Sequence, residues 1–246
     1  MSASVDHDVI IEQFKAIPTE MGLPAIEHPW FQGLINGELD EYQILLGELQ
    51  HTRRGWFLQG IVKDILDKAV YEGDEEVIEV ARANYEEEAG GPKPHGDLMF
   101  QFHEDQGMNR EEVEAVELMP GTSTCMDLLS IGVHTLTPLG CLAMMSLPEW
   151  QNAYVSAEVY PALQATKKFS EYAIETYKVH AVADIDHGNE QLDLLARKVQ
   201  ADPTIHDYVL ECLQYGVHTF NYNWDGQYQA ATNNPRFHWA GNGCGQ

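Results

Sequence analysis

Apolar positions recur along this chain at steps of three and four almost from end to end, with no convincing period-two alternation. VDHDVIIEQFKAI predicts a helix that opens on Asp6 or Asp8 and turns Val9, Ile10, Phe14 and Ile17 toward a core. HPWFQGLINGEL predicts a short helix stopping at Asn36-Gly37. Residues 39–69 predict a long one carrying Leu45, Leu49, Trp56, Ile61, Ile65 and Leu66. GDEEVIEVARANYEEE (73–88) sets acids in a first turn, where the helix dipole favours them. A helix from His95 to His103 follows, then NREEVEAVEL with Asn109 as its cap. PGTST (120–124) starts an apolar helix, and residues 149–167 continue it or begin another. Residues 169–198 form a long amphipathic helix, and ADPT (201–204) turns into a final helix over 203–225. The pattern predicts an all-α bundle of about seven to nine helices in one domain over residues 1–232, with 233–246 as a loose tail rich in Gly and Asn.

One stretch competes with that picture. LLSIGVHTLTPLGCLAMMSL (128–147) has no charged residue across 20 positions, which is bilayer length. Its polar His134, Thr135, Thr137 and Ser146, with Pro138 and no basic flank, point instead to the buried centre of a bundle. Hydrophobic content of 44% with 10% aromatics is enough to fill such a core. A formal charge of −25 repels phosphate backbones and anionic headgroups, so neither nucleic acid nor a membrane is expected as a partner. Cys125, Cys141, Cys212 and Cys244 show no CxxC spacing, and MSASVDHD lacks the basic and apolar regions of a signal peptide. A reducing cytoplasm is the expected compartment.

The residues with chemistry lie in two places. In VHAVADIDHGNE (179–190), His180, Asp184 and His187 stand at i, i+4 and i+7, about 0°, 40° and −20° around a helix, and so share one narrow face. Two imidazoles and a carboxylate suit iron, manganese or zinc. The competing use of such spacing is salt bridging on an acidic surface helix. In EEEAGGPKPH, Glu88 and His95 stand at E-x6-H, separated by AGGPKP, four strong helix breakers in six residues. An interrupted helix of this kind marks a ligand position, or else an ordinary glycine-capped helix end followed by a loop. Together the two motifs supply three histidines and two carboxylates, close to the donor set of a carboxylate-bridged dimetal site.

E-x6-H followed far downstream by H-x3-D-x2-H resembles the haem-oxygenase-like diiron oxidases, all-α relatives of haem oxygenase, thiaminase and pyrroloquinoline-quinone synthase. HPWFQGLINGELDEYQ, NYEEEAGG…HGDLMFQFHEDQGM and VHAVADIDHGNE carry the resemblance, which covers most of the chain. It implies a haem-oxygenase-like bundle and a metal-binding helix at Glu88–His95 built to come apart. It also implies one further ligand, a glutamate about thirty residues before the H-x3-D histidine. Glu149, 31 residues before His180, is favoured over Glu158, although its SLPEW context departs from the family's. The implied ligands are Glu88, His95, Glu149, His180, Asp184 and His187, holding two Fe2+ ions or a manganese-containing pair. The implied reaction uses O2, an external electron donor and a small metabolite, an amino acid or its derivative, with N-oxygenation, desaturation or oxidative C–C cleavage as outcomes. A homodimer is expected. One branch of the family converts its own tyrosine into p-aminobenzoate. The corresponding position here is Phe31, which counts against that chemistry. Arg53 and Arg54 are candidates for clamping a substrate carboxylate, with a surface ion pair as the competing use. His28, His51, His103, His134 and His218 read as packed or solvated, and Cys141 as a thiaminase-like nucleophile lacks an assigned base. The alternatives are a metal-free oxidase or hydrolase of the quinone-synthase or thiaminase type, and a non-catalytic metal-binding protein.

Overall fold

The computed structural model describes residues 6–90 and 93–233, and within them every regular element is helical. The expected tail beyond Asn233, with Cys244, lies outside the described residues. Ten α-helices are present there, and eight of them have eleven residues or more.

Local chemistry sets their ends. α1 (His7–Glu20) begins where the Asp6 side chain accepts from the Asp8 N–H at 3.2 Å. α2 (Pro29–Ile35) starts on the His28 ring and stops before Gly37, whose φ of +68° suits glycine. α3 (Glu41–Glu72) opens on an Asp40–Gln43 capping box and closes at Gly73. α4 (Glu75–Tyr85) is capped by Asp74, α5 spans His95–Asp105, and α6 (Arg110–Glu114) has the expected Asn109 cap. α7 (Pro120–Thr135), α8 (Pro138–Thr166), α9 (Glu175–Ala201) and α10 (His206–Asn233) complete the bundle.

The apolar stretch 128–147 is not one helix. It breaks at Leu136-Thr137, where Pro138 opens α8 with Thr137 as cap. Cys141 to Leu147 are buried at every consecutive position, because α8 runs through the centre and packs on α1, α2, α3, α4, α7, α9 and α10. Among the described residues no helix is long and apolar enough to cross a membrane.

Other boundaries also differ from the pattern. α9 starts at Glu175 rather than 169, α10 runs to Asn233, and α4 gives way to a π-helical turn at Glu86. Val9 is exposed, since α1 turns Ile10, Phe14 and Ile17 toward the core it shares with α9 and α10.

α8 and α10 approach until backbone meets backbone. Pro148 has no N–H for the Met144 carbonyl, and a Cβ on Gly216 of α10 would lie 1.9 Å from that oxygen. Gly216→Ala is therefore expected to destabilise the fold by about 1–3 kcal/mol. Gly60→Ala, on an exposed turn of α3 with nothing within 4 Å of the added methyl, should stabilise by about 0.5–1 kcal/mol. Urea unfolding of the two variants checks the contrast, and an unchanged midpoint for Gly216→Ala would contradict this packing.

Candidate metal centre

A continuous helix would hold Glu88 and His95 about 10 Å apart along its axis, at 1.5 Å per residue. In the structure His95 Nδ1 lies 2.7 Å from Glu88 Oε1. The chain manages this by leaving α-helical geometry. α4 passes into a π-helical turn, Glu86–Gly90, and helix resumes only at His95. The centre of the AGGPKP break, Gly91-Pro92, lies outside the described residues. π-Turns of this kind concentrate at functional sites. Here the turn sends Glu88 inward while Glu87, its neighbour, reaches His187 Nε2 at 2.6 Å.

α9 presents His180, Asp184 and His187 to the same interior, all three buried. The surface reading of that spacing therefore fails. The helix comes close to α8 because Gly188 lacks a side chain: a Cβ there would meet Trp150 backbone at 2.9 Å. His180 Nδ1–H donates to the Thr176 carbonyl at 2.6 Å, which fixes the tautomer and leaves Nε2 as a free lone pair. Asn152 Nδ2 donates to Asp184 Oδ2 at 2.6 Å.

One ligand atom from each of Glu88, His95, His180 and Asp184 lies within 4.8 Å of the others, and all four residues are buried. Glu149 and His187 flank this group. Glu149 is buried and accepts from Asn84 at 3.0 and 3.1 Å and from Gln191 at 2.6 Å. Glu158, nine residues on and thus about 180° around α8, is exposed in a groove beside Lys15.

The electrostatics follow from crowding acids in low dielectric. Burial alone would raise the Glu88 carboxyl, but the His95 charge and hydrogen bond hold it well below the usual range. Burial opposes the His95 imidazolium, yet Glu88 raises it. Burial, then the His95 charge, push His180 down to about 3. Burial, then the Glu88 charge, push Asp184 well up, and burial pushes Glu149 up to about 7.

The donor set fits a transition-metal ion. It combines imidazole with carboxylate, and buried Asp184 Oδ1 and His187 Nδ1 have no hydrogen-bond partner among the described residues. The cavity beside it has a volume of about 30 Å³ and is walled by Arg54, Leu58, Met99, Pro148, Phe220 and Trp224. Phe31 is one layer further out, edge-on to Trp224 at 5.5 Å. Arg54 and Arg53 part company here. Arg53 is outside the cavity wall, and its guanidinium donates to the carbonyls of Val113, Glu114 and Val116 at the end of α6.

Residues 61–219, well over half of the chain, match the sequence profile of a family described as iron-containing redox enzymes. The chain belongs to that family. The match to the iron-containing redox enzymes contains the whole ligand candidate set, from Glu88 to His187. No curated protein matches the chain significantly in sequence. Among solved structures, a TenA homologue from Pseudomonas syringae pv. tomato str. DC3000 superposes with a TM-score of 0.73 at 13% identity, covering 93% of this chain and 98% of its own. A TenA homologue from P. horikoshii OT3 gives 0.69 at 15% identity, covering 90% and 99%. A domain of unknown function with a heme oxygenase-like fold from Shewanella denitrificans OS217 gives 0.67 at 17%, covering 96% and 100%. Likeness at these identities shows the fold, which is haem-oxygenase-like.

A second buried polar group adjoins the candidate ligand cluster and was not legible as a unit in the sequence. Glu48 accepts from Tyr177 O–H and lies 3.1 Å from His51 Nδ1, while His103 Nε2 shares a hydrogen bond with Thr52 at 2.9 Å. Asn84, Asn152, Gln191 and Glu87 were missed as well. Helical spacing held a signal for Asn84, four before Glu88, and for Asn152, three after Glu149. His28, His51 and His103 are packed, and His134 and His218 are exposed.

Burial pushes His103 down to about 4, against the Glu48 charge that would raise it. A base held neutral in the fold supports stability above its unfolded value near 6.5, and that support fades as pH falls from there through about 4. Wild type should lose urea midpoint from pH 7 to 5 more steeply than His103→Gln. Parallel slopes would show that His103 is not held neutral.

Proposed function

We propose that this chain is a non-haem dimetal enzyme, most simply diiron, that uses O2 to oxidise a small metabolite such as an amino acid or its derivative. The observation that carries the reading is the convergence of Glu88, His95, His180 and Asp184, all buried, within 4.8 Å of one another. Family membership supports it independently. These four residues would hold one ion. Glu149 and His187, released from Asn84, Gln191 and Glu87, would complete a second position. Bound iron in such a donor set supplies reversible one-electron chemistry toward dioxygen.

The chain's own residues prepare the site. Thr176 aims the His180 lone pair inward, and Asn152 holds one Asp184 oxygen while leaving the other free. The Glu149 carboxyl carries a proton near neutrality that a cation displaces. Leu58, Met99, Phe220 and Trp224 exclude bulk water. With about 30 Å³ inside, room for one or two waters, a metabolite enters only when these walls rearrange. Met99, unbranched and adaptable, is the wall residue that yields most easily.

Likeness to TenA homologues favours a second reading, a metal-free thiaminase-type hydrolase. Its nucleophile has no good candidate among the described cysteines. Burial raises all three thiols, Cys125 and Cys141 to about 12 and Cys212 as well, and none lines the cavity.

Anaerobic loading with Fe2+, desalting, metal analysis and then O2-uptake measurement tests the proposal. Wild type should retain iron and consume O2 with a change in visible absorbance, and His180→Ala and Asp184→Ala should each hold about 10-fold less iron or lower still. Retained iron without O2 uptake would leave a metal-binding protein, and no retained iron would leave the metal-free reading.

A further inference from the structure

Arg54 lies on α3, 6% exposed, on the wall of the same cavity as Glu88, Glu149, His180 and Asp184. In a chain with 39 acidic residues, an arginine this deep is expected to pair with one of them. Arg110 pairs with Asp97 and Glu114, and Arg197 with Asp193 and Glu76. Among the described residues no carboxylate lies within the 4.0 Å of an ion pair with Arg54. Its buried Nε has no hydrogen-bond partner there, and its close contact is the Phe220 ring, 5.4 Å from Cζ.

The nearby acids are all engaged elsewhere. Glu88 is on His95, Glu149 on Asn84 and Gln191, Asp184 on Asn152, and Glu48 on His51 and Tyr177. Metal binding would commit Glu88, Glu149 and Asp184 further rather than free them. A buried cation without a partner is costly, and the planar guanidinium is shaped to take two oxygens at once.

We propose that Arg54 is the substrate-anchoring residue of this site, receiving the carboxylate of a monocarboxylic acid whose apolar body lies against Leu58, Met99, Phe220 and Trp224. The carboxylate is thereby kept off the metal, and a carbon further along the molecule faces the ligand cluster. Four buried acids lie at or beside the same site, so a monoanion brings less like-charge repulsion to Arg54 than a phosphate dianion does. The inference deepens the proposed function and rests on it for the reaction, but the binding step stands without iron.

Calorimetric titration of the full chain, metal-free and anaerobically Fe2+-loaded, with hexanoate, norleucine, hexanamide and hexyl phosphate tests it, with iron content measured on the same samples. Hexanoate or norleucine should bind both forms of wild type, and hexanamide and hexyl phosphate more weakly. Arg54→Gln should weaken the carboxylate by about 10- to 100-fold in both forms. Arg54→Lys, which keeps the charge and loses the fork, should fall between. If Arg54→Gln does not fold by circular dichroism, Arg54→Lys decides, and carboxylate affinity equal to wild type overturns the proposal. Carboxylate binding confined to the iron-loaded form and indifferent to Arg54, equal binding of hexanamide, tighter binding of hexyl phosphate, or no binding to either wild-type form also overturns it. Loss of iron with Arg54-dependent binding intact would sink the dimetal reading and leave the anchor standing.

Discussion

Glu88 and His95 touch only because the helix between them breaks. Two turns of continuous α-helix would keep both side chains on one face but too far apart to share an ion. The π-turn at Glu86–Gly90 and the helix restart at His95 turn a ladder of candidate ligands into a cluster. Helix breakers that look like a flaw in an otherwise helical chain are thus what closes the site.

The rest of the bundle holds two other segments against that closure. α8 brings Glu149, α9 brings His180, Asp184 and His187, and their seam is set by the missing side chain of Gly188. Burial at every position from Cys141 to Glu149 of α8 keeps the seam dry, and low dielectric then acts on every charged group in it. Acids there are either paired with His95 or driven toward their protonated forms, while Asn84, Asn152, Gln191 and Thr176 supply the hydrogen bonds that water would otherwise give. Arg54 stands apart as a buried cation with no carboxylate at ion-pair distance among the described residues and no hydrogen-bond partner for its Nε.

Much of this was legible in advance, for identifiable reasons. Helical periodicity reports burial directly, so most elements and the inward face of His180, Asp184 and His187 followed from spacing. Boundaries depended on weaker local signals. The proline opening α8 was hidden inside an apolar run, and the extension of α10 to Asn233 came from tertiary packing rather than caps. The closeness of Glu88 and His95 could be suspected from glycines and prolines, but its geometry needed the fold. The Glu48–His51–Tyr177–His103 group was invisible because its members come from α3, α5 and α9, and no spacing along the chain encodes contacts between helices. Arg53 and Arg54 looked equivalent as neighbours. About 100° of helix rotation separates a carbonyl-capping arginine from one inside the cavity.

In the proposed function these buried carboxylates and imidazoles form a metal centre. Crystals of the chain grown anaerobically with Fe2+ and measured across the iron absorption edge address it most directly. An anomalous peak is expected within coordination distance of Glu88, His95, His180 and Asp184, with a second beside Glu149 and His187. Anomalous signal confined to the acidic surface, with the Glu88–His95 contact left intact inside, would contradict it.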